Sequence, residues 1–245
     1  VRYGTMRENI LELEFVMPDG SIVRAGTKAL KNSAGYDLTS LMVGSEGTLG
    51  VITSVTVKLH PVGDHITSAV VGFEALSDAA NCVAMIKLSE IPVLRCELLD
   101  ASSVTAFNSW QKKKQDEHSS EESTPMDEKP TLFLEFQASS TESLAEHVKQ
   151  AECIAETFNG TNFVFTAEEE KRRALWAARH ELYYASIHLR PGATTAMLTD
   201  ACVPMSKFAE VIEATARDVE KQRVVGPVFG HAGDGNCHCI LPVLE

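Results

Sequence analysis

The 245-residue sequence contains no CxxC pair; its six cysteines lie scattered at 82, 96, 153, 202, 237 and 239. That spacing excludes a zinc ribbon and a thioredoxin-type redox motif. At this chain length so few cysteines do not make a disulfide framework, so reduced thiols in an intracellular compartment are expected. No apolar run approaches the ~18–20 residues of a membrane-spanning helix. Positive charge is scarce, with 22 Lys and Arg against 34 Asp and Glu for a net charge of −12. Such a balance disfavours non-specific binding to nucleic acid or to an anionic membrane surface. There is no internal repeat, and no GxGxxG between a strand and a helix, so the dinucleotide fingerprint is absent. An initiator Met is also missing. The chain opens on Val1-Arg2-Tyr3-Gly4 and ends just after the apolar run Cys239 to Val243, and both ends are expected to be internal to a longer protein. What remains is ordinary for a globular chain: 44% hydrophobic and 23% charged residues, enough core for one large or two small domains.

Leu11, Leu13 and Phe15 alternate with Glu12 and Glu14, which predicts a half-buried strand over 10–17. Pro18-Asp19-Gly20 turns the chain into a second strand at 21–24. The β-branched run 51–59 predicts a third, ended by Pro61, with a domain boundary near 60–66. Beyond it, strands are predicted at 66–73, 93–99, 131–136 and 163–165. Helices are predicted from Ser77-Asp78 through Ile86, from Thr141 to the Asn159-Gly160 stop, over 168–188 as one long element, and over 205–219. Residues 111–129, rich in Lys, Asp, Glu, Ser and Pro, read as a low-complexity solvated insert. The charge run Glu168 to Arg173 places acids before bases at a helix start and reads as a solvated face. This order of elements predicts an α+β fold, with helices packed on a largely antiparallel sheet.

Two strings carry chemistry. Gly44-Ser45-Glu46-Gly47-Thr48-Leu49-Gly50 follows Gly35-Tyr36-Asp37-Leu38, and its glycines let the backbone take positive φ and approach a ligand closely. The second is Gly230-His231-Ala232-Gly233-Asp234-Gly235-Asn236-Cys237-His238-Cys239. Asp234-Gly235 is a strong signal for a two-residue type I′ hairpin. Such a turn pairs 233 with 236, 232 with 237 and 231 with 238, so the two histidines stand opposite each other on one face. Both imidazoles could then reach one divalent metal. Asn236 shares that face, while Cys237 and Cys239 point the other way as core thiols.

The strings Gly35-Tyr36-Asp37-Leu38 and Gly44 to Thr53, with the opening Val1 to Thr5, resemble the second half of the FAD-binding domain of the vanillyl-alcohol-oxidase or PCMH-type flavoproteins. The resemblance implies that residues 1–62 are the second part of such a domain. It implies that Arg2, Tyr3, Gly4, Thr5, Glu46, Gly47, Thr48, Gly50, Val51 and Ile52 lie along the FAD, and that the loop cradling the pyrophosphate lies outside this chain. The histidine string resembles the GHxGDGNxH signature of the FAD-linked D-2-hydroxyacid dehydrogenases. Residues 63–245 are then an incomplete substrate and metal domain, with an antiparallel sheet. In that family the two histidines, here His231 and His238, bind a zinc-like ion, zinc or manganese. A Glu-His-Gly segment supplying a third ligand and the catalytic base is expected beyond residue 245, so this chain alone is expected to be inactive. By the same resemblance Arg190, before Pro191-Gly192, pairs with the substrate carboxylate, and Asn236 is the other expected substrate contact. The string Thr199-Asp200-x-Cys202-Val203-Pro204 looks more like the family's D-lactate enzymes. Its hydroxyglutarate enzymes carry a Lys where Leu198 stands.

The resemblance therefore implies FAD-dependent oxidation of a small D-2-hydroxyacid, D-lactate to pyruvate. It implies a cytochrome c or quinone-linked electron acceptor and a mitochondrial location. A hydroxyglutarate or glycolate dehydrogenase, and a non-redox transferase of the alkylglycerone-phosphate synthase type, are the alternatives.

Overall fold

The computed structural model describes residues 1–118 and 125–244. The chain divides into two compact units, Arg2–Val62 and Gly63–Glu245, the second including Val1.

The smaller unit is built on the predicted alternation. In β1 (Ile10–Val16) Leu13 and Phe15 are buried, while Glu14 turns outward to accept from Arg24 Nε at 2.9 Å. β1 lies between β2 (Ile22–Gly26) and β3 (Val51–Val57), antiparallel to both. Two short helices, α1 (Met6–Asn9) and α2 (Leu38–Met42), complete the unit. Asp37 starts α2 by accepting from Ser40 N at 3.0 Å, and so delivers Met42 to the small core of Leu13, Phe15 and Ala25. β3 is an edge strand on which Val51, Ile52, Val55 and Val57 are exposed.

The larger unit is one seven-stranded sheet. Its strands are β4 (His65–Gly72), β5 (Val93–Leu99), β6 (Thr131–Ala138), β7 (Thr161–Thr166), β8 (Thr195–Cys202), β9 (Val228–Gly230) and β10 (Asn236–Val243). The order is β7-β4-β6-β5-β9-β10-β8 and every pairing is antiparallel. On one face Val71, Cys96, Leu98, Leu134, Phe136, Cys237 and Cys239 pack with buried residues of α3 (Leu76–Leu88), α5 (Thr141–Thr157) and α8 (Met205–Gln222). On the other face Leu99, Phe133, Phe229 and Ile240 pack with α4 (Ala101–His118), α6 (Glu169–His180) and α7 (Leu182–His188). Both faces are covered, which is why the central strand β6 is buried at every position. α5 shows how the sequence sets one such helix. Ser140 accepts from Ser143 N, and Leu144, Val148, Ala151 and Ala155 bury one stripe. Asn159, in the left-handed region, follows its end.

Three expectations change. Residues 111–118 are not a loop but the last turns of α4, because Trp110 and Lys114 anchor that helix to Glu181; Trp110 Nε1 donates at 2.9 Å and Lys114 Nζ at 2.5 Å. Residues 119–124 of the expected insert lie outside the described residues. After them Met126 is tied back, its N and O both bonded to the Asn108 side chain. The single helix expected over 168–188 is two, α6 and α7, broken at that same Glu181. The charge run is solvated except for Arg172, which turns inward to lie 3.8 Å from the buried Glu135.

Candidate active site

The histidine string does not form the two-residue hairpin that Asp234-Gly235 predicts. β10 pairs with β9 through His238↔Phe229 and Cys239↔Val228, two residues out of the expected register. The connection is longer, because Ala232–Asp234 make one 3-10 turn closed by Asp234 N donating to His231 O at 2.9 Å. Gly235 follows with φ +71°, and a Cβ there would meet Val203 O at 2.2 Å, so the position is open to glycine alone. A shift of two preserves the face of every side chain, since strand side chains alternate with period two. His231 and His238 therefore still meet, ring centroids 5.5 Å apart and nearly perpendicular. Asn236 keeps the face of His238, and Cys237 and Cys239 are buried on the other side. Burial pushes both thiols up, Cys239 to about 11, so they are protonated core groups and poor ligands.

Neighbouring strands complete the surroundings. Leu99, Phe229, His238 and Asp200 form one cross-strand row over β5, β9, β10 and β8. Glu97, two residues before Leu99, shares its face. The Glu97 carboxylate accepts from Arg179 Nε at 2.9 Å, and Arg179 Nη2 lies 2.8 Å from the same oxygen. Its other oxygen lies 2.6 Å from His231 Nδ1. Arg179 comes from α6 and lies over the Phe229 ring, 4.6 Å from its centroid. Asn236 Nδ2 donates to Asp200 Oδ1 at 2.7 Å. Two buried atoms here make no hydrogen bond: Asn236 Oδ1 and His238 Nδ1. Asp200 Oδ1 stands 3.5 Å from that nitrogen, too far for a good bond. A buried polar atom without a partner is costly, and two on one strand face leave hydrogen-bonding capacity that no protein group here fills.

The two imidazoles are driven apart electrostatically. The bond to Glu97 raises the pKa of His231. Burial lowers that of His238; the nearby His231 and Arg179 add to this, and Asp200 opposes it. His238 is therefore the readier lone-pair donor near neutral pH. Among the described residues no group of three His, Cys, Asp or Glu is arranged to hold a metal ion.

Arg190 is not part of this cluster. Its Nη1 donates to Pro242 O at 2.9 Å, four residues along β10 from His238, or roughly 13 Å at strand rise. The guanidinium beside the histidines is that of Arg179. Its signal in the sequence was Trp176 and Arg179 at helical spacing; Trp176 is buried and donates to Ser68 Oγ at 3.0 Å. Glu97 was legible only as an acid in the apolar run Val93 to Leu99.

The expected FAD contacts all lie in the smaller unit. Gly4 has φ +70°, and Thr5 starts α1 with its N donating to Glu8 at 2.7 Å. Tyr3 stacks on His60 at 4.2 Å between centroids. Glu46 and Gly47 are both left-handed, and nothing lies within 4 Å of a Cβ added to Gly47. A non-glycine residue held there stores backbone strain, a feature that clusters at ligand sites. Thr48 N closes that turn onto Ser45 O at 2.9 Å, and Gly50 leads into the exposed apolar positions Val51 and Ile52 of edge strand β3.

Residues 63–243 match the family described as FAD linked oxidases, C-terminal domain. The chain belongs to this family. Over 244 residues this FAD-linked oxidase chain is 41% identical to the probable mitochondrial D-lactate dehydrogenase of Danio rerio, covering 98% of the chain and 46% of that protein. It is 40% identical over 243 residues to the mitochondrial D-lactate dehydrogenase (cytochrome) of Arabidopsis thaliana, covering 98% of the chain and 40% of that protein. The chain thus spans less than half the length of these relatives. Among solved structures it is similar to p-cresol methylhydroxylase, with a TM-score of 0.67 at 15% identity, over 100% of the chain and 53% of that protein. That likeness shows the fold, the PCMH-type α+β architecture with antiparallel sheets.

Proposed function

We propose that this chain is part of an FAD-dependent D-2-hydroxyacid dehydrogenase that oxidises D-lactate to pyruvate. The observation that carries the reading is the convergence of His231, His238 and Arg179 on one sheet face, beside two unsatisfied polar atoms. Arg179 uses one edge of its guanidinium on Glu97, and the other edge is left to take a carboxylate as a two-pronged partner. The histidine pair would hold one divalent ion, zinc or manganese. Asn236 and Asp200, on the same face, would be the neighbouring polar groups available to a hydroxyacid. When bound, FAD supplies the hydride acceptor and the ion a Lewis acid for the hydroxyl. Arg2 to Thr5 and Glu46 to Ile52 are the residues assigned to hold the flavin. The protein's own contribution is to fix the carboxylate at Arg179 and the hydroxyl at the histidines, so that C2 has one orientation.

The preference for a monocarboxylate rests on β8 and β10. Leu198 and Ile240 pair directly, on the face that carries Asp200 and His238. A second carboxylate there finds apolar side chains in place of a cationic partner, with Leu198 itself 52% exposed. Steady-state kinetics of the full-length enzyme test this. The reading predicts a kcat/KM for D-lactate at least about tenfold above that for D-2-hydroxyglutarate, and the reverse order overturns it. The names of the Danio rerio and Arabidopsis thaliana relatives support a mitochondrial location, and that of the latter a cytochrome as electron acceptor.

A further inference from the structure

Glu97 has no place in the reaction just described, yet it is the most constrained acid in the site. It sits on β5 at the second position before Leu99, with 8% of its surface exposed. Its two oxygens are divided between two functional groups. Oε1 lies 2.6 Å from His231 Nδ1, while Oε2 lies 2.9 Å from Arg179 Nε and 2.8 Å from Nη2. Those partners come from different places: His231 opens the 3-10 turn after β9, and Arg179 lies near the end of α6. A buried carboxylate accepts only. In the neutral imidazole, then, the His231 proton is held on Nδ1 and the lone pair is left on Nε2. The same carboxylate fixes the plane of the guanidinium.

We infer that Glu97 is a positioning residue that locks His231 and Arg179 together as one unit. It sets the imidazole tautomer for ion binding and, at the same time, aims the free edge of the guanidinium at the substrate carboxylate. This inference rests on the proposed roles of the histidine pair and Arg179, but its first readout needs neither ion nor substrate. An amide at position 97 cannot serve both partners. Turned one way, its NH2 group faces His231 Nδ1 and favours the proton on Nε2. Turned the other way, the NH2 group faces Arg179 and the guanidinium loses its acceptor.

The test uses full-length protein labelled with 15N-histidine, metal-free, at a pH above the titration of both imidazoles. Long-range proton–nitrogen spectra report which ring nitrogen carries the proton, with His231→Ala supplying the assignment. The expected result is Nδ1–H in the wild type, and in Glu97→Gln either the proton shifted to Nε2 or a KM for the hydroxyacid raised by about tenfold or more. Zinc or manganese affinity should fall about 10–100-fold wherever the tautomer shifts. Glu97→Asp keeps the charge but is one methylene shorter, so it can reach one partner only; it gives the same choice of outcomes should Glu97→Gln fail to fold. If a folded variant keeps both the wild-type tautomer and the wild-type KM, the inference is overturned. If the wild type binds no divalent ion while the proton still moves in Glu97→Gln, the metal reading falls and the positioning role stands.

Discussion

Replacing Arg179 by Met should destabilise the larger unit by about 2–4 kcal/mol. The magnitude follows from burial. The side chains of Arg179 and Glu97 are 13% and 11% exposed, so the pair is nearly out of water, and removing one partner strands a buried charge. Met keeps the aliphatic stem over Phe229 and forfeits only the cation–π part, roughly 0.5–2 kcal/mol. The remaining loss is the carboxylate left with His231 as its partner. Adding Glu97→Gln to the Met variant removes that stranded charge, so the double variant should be more stable than Arg179→Met alone. Urea unfolding followed by tryptophan fluorescence measures this directly, since Trp110 and Trp176 both lie in the larger unit. Linear extrapolation for wild type, both single variants and the double variant gives the coupling energy. A loss below ~1 kcal/mol in Arg179→Met, or a double variant equal to the sum of the singles, would refute the reasoning.

Asp100 offers a second test. It is 8% exposed, burial raises its pKa from 3.8 to about 6, and Oδ1 accepts from Ser103 N at the start of α4 at 2.7 Å. A folded-state value above the unfolded one gives stability that is fully present below ~3.8 and lost as pH rises through ~6. Asp100→Asn keeps the helix cap and removes the charge, so it should raise stability at neutral pH by roughly 1–3 kcal/mol. That gain should shrink towards pH ~4, which urea midpoints at the two pH values would show; equal midpoints for variant and wild type at neutral pH contradict it. At the turn between the histidines, Gly235→Ala puts a Cβ on the Val203 carbonyl at positive φ and should cost on the order of 1–3 kcal/mol. Calorimetric melting checks this, and an unchanged midpoint would mean that the turn is not held as described.

Local alternation made most of the strands legible in the sequence. Leu13 and Phe15 announced β1, and the apolar runs announced β4, β5 and β6, because a strand buried on one or both faces must carry that pattern. What failed to show was decided by partners far along the chain. α4 continues past residue 110 because Trp110 and Lys114 find Glu181, about seventy residues away, and no local pattern reveals that. β8 has little buried surface as an edge strand, so its sequence carries no alternation to read. At the site, the meeting of His231 and His238 was legible because an error of two in register leaves faces unchanged, whereas an error of one would have separated them. Arg179 and Glu97 were hidden because their pairing joins α6 to β5 across 82 residues. Arg190 stood out by its place before Pro191-Gly192; its Nη1 donates to Pro242 O at the far end of β10, away from the histidines.

The proposal that most needs a test is that His231 and His238 jointly hold one divalent ion at a hydroxyacid site. Elemental analysis of full-length wild type, His231→Ala and His238→Ala, each purified under identical conditions, tests it most directly. The account predicts one zinc or manganese per wild-type chain and its loss from both variants, with the flavin absorbance kept, since the residues assigned to FAD belong to the other unit. Full metal occupancy in either variant would contradict it.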